Sequence, residues 1–400
     1  MNVANAQLVV CTPDLTSHVA DMLSEPGRSQ RCITLSLGSF PPAHNSTAES
    51  APSAPSTESH KDVFSWISSE DLASIVVDPS IPRPKRSIKD VFVLIYTSGT
   101  SGLPKAVSCK NMQLILVSTP VPHDTENPQK YFPLRTFSCL PLFHGTGFFT
   151  GLCYTVGSSA TFCVGRKFSA SSFSKSLAES QATRMLYVGE LCRYLLKAAP
   201  SPYDKGHKCI VAHGNGMQGD VWNRFKDRFG IDEVREVYRS TEGLAKFDNW
   251  GSGHIGSGKV GFHGPVSWPI EKTTYIVKYD PETEQPYRDP KTGFCVPVKP
   301  GEPGEAIGRV VSLDTYSEYL NNPKANSEKL IHDVFAKGDL FQRTGDLLIR
   351  DNDGWVGFLD RTGDTFRWQG ENVSAGEVRA HISKLPNMHD VVVYGVKLEG

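Results

Sequence analysis

The sequence has no cysteine pairs of the kind that build disulfide frameworks or zinc sites. Its nine cysteines are odd in number and scattered, and no two of them form a C-x-x-C motif. This arrangement predicts reduced, mostly buried thiols in a cytosol-facing protein. The first residues also have no basic segment ahead of their short apolar run, so we predict no signal peptide.

An excess of charge of either sign is missing as well. The formal net charge is -1, with 42 Lys and Arg against 43 Asp and Glu. This balance gives no general attraction to nucleic acid, so we expect no nucleic-acid partner. The longest stretch without these charged residues is 136–165. Pro141 and several glycines interrupt it, which favours a buried strand and helix, although its length keeps a membrane span open.

The 400 residues are enough for about two or three domains. Residues 7–11, 14–23 and 33–37 read as strand, helix and strand, which predicts part of an α/β segment over residues 1–60. Within it, residues 39–59 are rich in Pro, Ser, Ala and Thr, and we expect a disordered surface loop there.

The most informative stretch is a run of strand-forming residues followed by a loop rich in hydroxyls. Residues 91–96 are β-branched, aliphatic and aromatic, which predicts a strand buried on both faces. Successive amides and hydroxyls of the loop can wrap an anion, and Lys105 adds a positive charge. The loop consists of Thr97, Ser98, Gly99, Thr100, Ser101 and Gly102.

This loop does not fit the phosphate loop of P-loop NTPases. That pattern needs glycine, four residues, glycine, lysine and then serine or threonine. Counting from Gly99, the second glycine position is Pro104, and Ala106 follows Lys105. A Ser/Gly-rich turn with a solvated lysine is the plainer alternative. The stretch YTSGTSGLPKAV instead resembles the phosphate-binding signature of the adenylate-forming (AMP-binding) superfamily, which includes the acyl-CoA synthetases.

A second motif, YRSTEG, occupies residues 238–243. A tyrosine can stack on a base, a hydroxyl can reach a phosphate, and a carboxylate can hold Mg²⁺. A strand-to-turn junction with an exposed glutamate is the alternative. The family resemblance assigns Tyr238 to adenine, Thr241 to the α-phosphate and Glu242 to Mg²⁺. Arg239 stands where the family usually has glycine.

Two shorter motifs are weaker on chemistry alone. His144 lies in PLFHGTG, where a lone histidine also serves as a structural hydrogen-bonding group. By resemblance it lines the place where the substrate carboxylate meets the α-phosphate. The run Gly214, Asn215, Gly216 lets the backbone approach a flat ligand, and a simple turn uses the same residues. By resemblance this run flanks the adenine.

Two further candidates lie near the C-terminal end. The sequence FQRTGDLL places Asp346 at a predicted tight turn, where its carboxylate can accept from two ribose hydroxyls or cap the turn. The family's TGD aspartate binds ribose. Arg361 carries a fixed-charge fork suited to ribose or phosphate, and a surface ion pair is its alternative.

The branch of the family is indicated by three phrases. YVGELCRYLL, PSPYDKGH and RDPKTGFCVPVKPGEPG are similar to the fatty acid transport protein and very-long-chain acyl-CoA synthetase branch. The resemblance implies ATP-dependent activation of a long- or very-long-chain fatty acid to acyl-AMP and then acyl-CoA, with ATP, Mg²⁺ and CoA. A secondary-metabolism acyl-CoA ligase and a truncated nucleotide- or acyl-binding protein without turnover are the alternatives.

The resemblance also implies an α/β fold of stacked sheets with a small β-barrel-like subdomain. We expect an AMP-binding large domain over residues 61–359 and a hinge with a truncated C-terminal lid over residues 360–400. No residue matches the family's lid lysine, and the chain begins inside the family's first α/β region, so truncation at both ends is expected. Peripheral association with the endoplasmic reticulum, peroxisome, lipid droplet or plasma membrane stays open. Within the C-terminal half, residues 325–335 and 375–385 read as helices and residues 391–396 as a strand.

Overall fold

A computed structural model of the chain describes most of its second half and parts of its first. The described residues are 8–12, 15–23, 31–36, 64–68, 80, 82, 85–97, 104–119, 130–251, 254–264, 272–368, 371–382, 385, 388 and 391–394. The predicted loop over residues 39–59 and residues 98–102 of the hydroxyl-rich loop lie outside them. The chain divides into two compact units, Met1–Arg86 and Ser87–Gly400.

The first unit contains a parallel three-stranded sheet. Its elements are β1 (Leu8–Cys11), α1 (Thr16–Leu23), β2 (Arg31–Ser36) and β3 (Phe64–Ser68). The strands lie in the order β1-β2-β3, and both neighbouring pairs are parallel. The predicted succession of strand, helix and strand is therefore present.

The second unit begins with an antiparallel hairpin. It consists of β4 (Val91–Thr97) and β5 (Lys105–Lys110), and α2 (Asn111–Ser118) follows. In β4 only Ile95 is buried, whereas Val91, Phe92 and Tyr96 are 43% to 44% exposed. The prediction that this strand is buried on both faces is wrong, because a two-stranded pair leaves one face of β4 uncovered.

The largest core surrounds a mixed six-stranded sheet. Its strands are β6 (Arg135–Ser138), β7 (Thr161–Val164), β8 (Arg184–Val188), β9 (Val211–Asn215), β10 (Glu233–Tyr238) and β11 (Phe247–Asn249). They lie in the order β11-β10-β9-β8-β6-β7, and every neighbouring pair is parallel except β10–β11. Because carboxyl ends of parallel strands meet at one edge, the segments after β9 and β10 come together.

Helices cover this sheet with apolar faces. The uncharged stretch contains a π-helix (Thr146–Cys153) and α3 (Tyr154–Gly157); the next helices are α4 (Phe173–Glu179), α5 (Gly189–Lys197) and α6 (Gly219–Phe229). Trp222 and Phe225 of α6 are at most 1% exposed and share one core with Tyr187 of β8. Among the described residues, no helix is both long and apolar enough to cross a bilayer.

An antiparallel sheet follows in sequence. It contains β12 (Gly261–Phe262), β13 (Thr274–Val277), β16 (Pro303–Arg309), β17 (Leu330–His332), β18 (Leu340–Arg350) and β19 (Trp355–Arg361), with the separate pair β14 (Tyr279–Asp280) and β15 (Gln285–Pro286) beside it. The order is β12-β19-β18-β16-β13, and β17 also pairs with β18. The short strands before residue 310 therefore share one sheet with strands from residues 330–361.

Three local predictions are wrong. Residues 325–335 form α7 (Pro323–Lys329) followed by β17, because Leu330 and Ile331 pair with β18 instead of continuing the helix. Asp346 lies inside β18 rather than at a tight turn, since β19 pairs along this stretch. Residues 391–394 form no strand, and the rest of the predicted strand lies outside the described residues.

The C-terminal elements are short. They are a 3-10 turn (Thr362–Asp364), β20 (Thr365–Trp368), β21 (Glu371–Ser374) and α8 (Ala375–Ile382). β20 and β21 form an antiparallel pair, and a backbone amide of α8, that of Gly376, donates to the Asp360 carboxylate at 2.9 Å. This contact connects α8 to β19 at the predicted hinge.

Candidate nucleotide-binding site

Tyr238 at the end of β10 contacts the aspartate of the TGD motif. Its hydroxyl donates to Asp346 Oδ2 at 2.5 Å, and Arg361 Nε lies 3.7 Å from Asp346 Oδ1. Asp346 and Arg361 are direct partners of β18 and β19, which explains why their side chains meet. The structure thus brings together three predicted residues that are up to 123 positions apart in the chain.

Burial dominates the electrostatics of this trio. It raises the pKa of Asp346, against the opposing effect of the Tyr238 hydrogen bond and the Arg361 charge. Burial, and then the charge of Asp346, also raises the pKa of Tyr238 well above its usual value. Tyr238 therefore remains a hydrogen-bond donor across the physiological pH range.

Glu242 of the YRSTEG motif joins the other strong motif through a tyrosine. Tyr319 donates to Glu242 Oε1 at 2.7 Å, and Lys105 Nζ lies 5.3 Å from the centroid of the Tyr319 ring. Lys105 begins β5 and is the direct partner of Thr97, whose hydroxyl donates to the Lys105 carbonyl at 3.4 Å. Thr97, at the start of the hydroxyl-rich loop, and Lys105, three residues after its end, are therefore connected to the YRSTEG motif through Tyr319.

The turn after Glu242 is held by a buried amide. Gln342, 1% exposed, donates from Nε2 to the Glu242 carbonyl at 3.0 Å and accepts from Leu244 N at 2.8 Å. One side chain of β18 thus satisfies both backbone groups of this turn. The position of the Glu242 carboxylate depends on the antiparallel sheet as well as on β10.

The histidine motif contacts the same region through its glycine. A Cβ placed on Gly145 would lie 3.8 Å from Thr241 Oγ1, so this loop packs beside the threonine of YRSTEG. His144 itself is exposed, and its Nδ1 accepts from Thr146 N at 3.3 Å. The local hydrogen bond is the structural alternative for this histidine, and it is the neighbouring Gly145 that lies beside Thr241.

The glycine run after β9 is clamped by a buried carboxylate of β10. Glu236, 1% exposed, accepts from the amides of Gly216 and Met217 and from the Tyr187 hydroxyl. Burial raises the pKa of Glu236 to about 8, although those three hydrogen bonds favour its charged form. Asn215 Oδ1 is buried and has no hydrogen-bond partner among the described residues. This buried oxygen is suited to accept a hydrogen bond from a ligand.

Most of the chain matches one enzyme family. The family model for the AMP-binding enzyme matches residues 1–307. The chain belongs to the AMP-binding enzyme family. A solved member of the same fold, the anthranilate CoA ligase AuaEII in complex with anthranoyl-AMP, has a TM-score of 0.69 at 17% identity and covers 99% of this chain and 66% of that one. The predicted adenylate-forming fold is confirmed.

Curated relatives within this family support the predicted branch. Long-chain fatty acid transport protein 6 of Homo sapiens is 36% identical over 348 residues, which are 84% of this chain and 53% of that protein. Isopenicillin N epimerase component 1 of Hapsidospora chrysogena is 40% identical over 324 residues, 78% of this chain and 52% of that protein. The chain therefore spans about half the length of these relatives. The resemblance to the fatty acid transport branch of the family is confirmed.

Sequence reasoning missed the residues that support the AMP-binding motifs. Tyr319 and Glu236 lie outside the quoted motifs. Tyr187 and Gln342 lie within YVGELCRYLL and FQRTGDLL, but those motifs give them no role, because each acts on a residue that is distant in sequence or in another strand. The buried glutamate in REVYRSTEG gave the one usable signal, since a charged residue two positions before Tyr238 shares its side of the strand.

Proposed function

We propose that this chain is the nucleotide-binding part of an AMP-forming ligase that activates a long- or very-long-chain fatty acid for transfer to CoA. The observation that carries the proposal is the pair of contacts at the end of β10. Tyr238 reaches Asp346 on one side, and on the other Tyr319 donates to Glu242 while its ring faces Lys105. Membership of the AMP-binding family supports a nucleotide as the molecule between them.

The residues on the Asp346 side have the chemistry to hold the nucleoside. The Tyr238 ring offers a stacking face for adenine, and Asp346 offers acceptor oxygens for the ribose hydroxyls. Arg361 would bind ribose or phosphate beside it. The run Gly214, Asn215, Gly216 presents the buried Asn215 Oδ1, which suits an amino donor of the base.

The residues on the Glu242 side have the chemistry to hold phosphates. The second oxygen of Glu242 has no hydrogen-bond partner among the described residues, and one carboxylate suffices for a magnesium ion that is otherwise bound by phosphates and water. Magnesium bound there would neutralise phosphate charge. Thr241 and Lys105 would contact the phosphates, together with the loop residues Ser98, Gly99, Thr100, Ser101 and Gly102.

The proposed reaction has two steps. A carboxylate oxygen of the acid attacks the α-phosphorus of ATP, and pyrophosphate leaves with the electron pair of the broken P–O bond. The CoA thiolate then attacks the acyl carbonyl, and AMP leaves. The protein's part in the first step is to align the two anionic reactants and offset their charge. His144 would face the acid.

Two substitutions test the nucleotide site. Glu242→Ala and Asp346→Ala should each lower fatty-acid-dependent ATP–pyrophosphate exchange on the order of 10²-fold, the usual loss when a preorganised charge contact is removed. Asp351→Ala is the matched control, because Asp351 directly follows β18 and forms a half-buried ion pair with Lys259 at 3.2 Å. A wild-type exchange rate in either variant would show that the substituted residue is not part of the nucleotide site. Nucleotide binding without exchange in the wild type would identify a binding protein instead.

The acid can be identified with the same assay. Relatives named as fatty acid transport proteins support a long-chain acid, and the fungal relative's name favours a second candidate, a secondary-metabolite acid such as isopenicillin N. Exchange should be measured with palmitate, a very-long-chain acid and isopenicillin N. If exchange is fastest with isopenicillin N, that acid would replace the fatty acid as the proposed substrate. The names also support peripheral membrane association, which flotation with liposomes would test.

A further inference from the structure

Tyr319 is fixed in place through its backbone on two sides. It bridges Val107 of β5, while Ser108 N donates to the Glu318 carbonyl at 2.8 Å. On the other side, the Asn326 amide accepts from Tyr319 N at 2.8 Å and donates to the Tyr319 carbonyl at 2.9 Å. The segment thus extends the β4–β5 hairpin, and the ring has little freedom to move.

The side chain of Tyr319 contacts two groups of opposite charge at once. It is 5% exposed, its hydroxyl donates to Glu242 Oε1, and its ring lies under the Lys105 ammonium. One side chain thus holds one oxygen of the carboxylate and offers an aromatic face to the ammonium.

We propose that Tyr319 is a positioning residue that presets Glu242 and Lys105 for the metal and phosphates of ATP. The proposal rests on the proposed function of this site. A carboxylate that already accepts a hydrogen bond loses less rotamer freedom when a cation binds to its other oxygen. An aromatic face attracts the ammonium without neutralising it, whereas a carboxylate partner would pair with the charge that the phosphates need.

Two substitutions separate the contacts. Tyr319→Phe removes the hydroxyl and keeps the ring, and Tyr319→Leu removes both. Tyr131→Phe is the matched control, because Tyr131 is 8% exposed and its hydroxyl donates at 2.9 Å to Glu233 Oε2, at the opposite end of β10 from Glu242. The measurement is the Mg²⁺ concentration that half-saturates pyrophosphate exchange at fixed ATP, with the KM for ATP.

We expect Tyr319→Phe to raise the half-saturating Mg²⁺ concentration about tenfold, because removing the hydrogen-bond partner of a metal ligand usually weakens metal binding by at least about this factor. Tyr319→Leu should also raise the KM for ATP beyond the value in Tyr319→Phe, since Lys105 loses its aromatic face. Tyr131→Phe should leave the Mg²⁺ curve unchanged. In a Glu242→Gln background, Tyr319→Phe should have no further effect on Mg²⁺ dependence.

Several outcomes would overturn the proposal. A wild-type Mg²⁺ curve in Tyr319→Phe, or an equal shift in Tyr131→Phe, would reduce Tyr319 to a packing residue. If a variant melts near the assay temperature, the same comparison is made at low temperature. Electron paramagnetic resonance then measures the binding of Mn²⁺ in the presence of ATP. Failure of the wild type to catalyse exchange would instead count against the proposed function, because Tyr319 would then have no reaction to support.

Discussion

Replacing Glu236 by glutamine should remove a loss of stability that the protein undergoes as the pH rises. Glu236 is 1% exposed and accepts hydrogen bonds from Tyr187 and from the amides of Gly216 and Met217. Burial raises its pKa to about 8 from the ordinary value of 4.5. The folded protein therefore keeps a proton on Glu236 over a pH range in which the unfolded chain has lost it.

The sign and size of the effect follow from this difference. The stabilisation from that proton is complete below the unfolded pKa of 4.5 and is lost as the pH rises through about 8. Within this window each pH unit lowers the free energy of unfolding by up to about 1.4 kcal/mol, hence roughly 2 kcal/mol between about pH 6 and about pH 8. Glutamine carries no titratable proton, so Glu236→Gln should not show this slope.

Urea unfolding midpoints of wild type and Glu236→Gln across this pH range provide the assay. The difference between the two proteins isolates Glu236 from all other titrating groups. Glu233→Gln is the control: burial raises the pKa of Glu233, but hydrogen bonds from Lys130 and Tyr131 outweigh it, and the net pKa is lowered. The stability from Glu233 is lost only as the pH falls. If the urea midpoints of wild type and Glu236→Gln change with pH in parallel, the folded protein does not retain a proton on Glu236 over this range.

Three further substitutions test the packing that supports the site. Arg343→Met should lower the free energy of unfolding by about 3–5 kcal/mol, because it leaves the fully buried Glu305 without its cation, as urea unfolding would show. Gly189→Ala should destabilise by at least about 1 kcal/mol and raise the KM for ATP, since its Cβ would lie 1.7 Å from the Gly216 carbonyl oxygen. Trp222→Ala should cost about 3–5 kcal/mol in a thermal melt, because Trp222 is 1% exposed in the main core.

Much of the fold could be predicted where a local pattern repeats. Residues 222–229 have the period of an amphipathic helix and residues 234–238 the pattern of a strand, and the structure has α6 from Gly219 to Phe229 and β10 from Glu233 to Tyr238. Such elements bury one face, and their period is visible in the sequence. The prediction failed at residues 330–335, where pairing with β18 overrode the local helical pattern.

The candidate site could be predicted as a set of residues but not as an arrangement. The motifs named Tyr238, Glu242 and Asp346, since each has chemistry suited to a nucleotide and stands in a family phrase. Their supports, Tyr319 and Gln342, lie 77 and 100 positions from Glu242, and although Gln342 stands in FQRTGDLL, nothing in that motif points to Glu242. A hydrogen bond across such a separation leaves no periodic or spacing signal.

The motifs indicate which chemical groups are available: a hydroxyl-rich loop with Lys105 after it, the threonine and glutamate after β10, and an aspartate in the TGD motif. The folded chain adds that Tyr238 meets Asp346, that Tyr319 contacts both Glu242 and Lys105, and that one face of β4 is exposed. Residue type fixes which charges and hydrogen bonds a side chain can form, whereas the pairing of distant strands fixes which partners lie within reach.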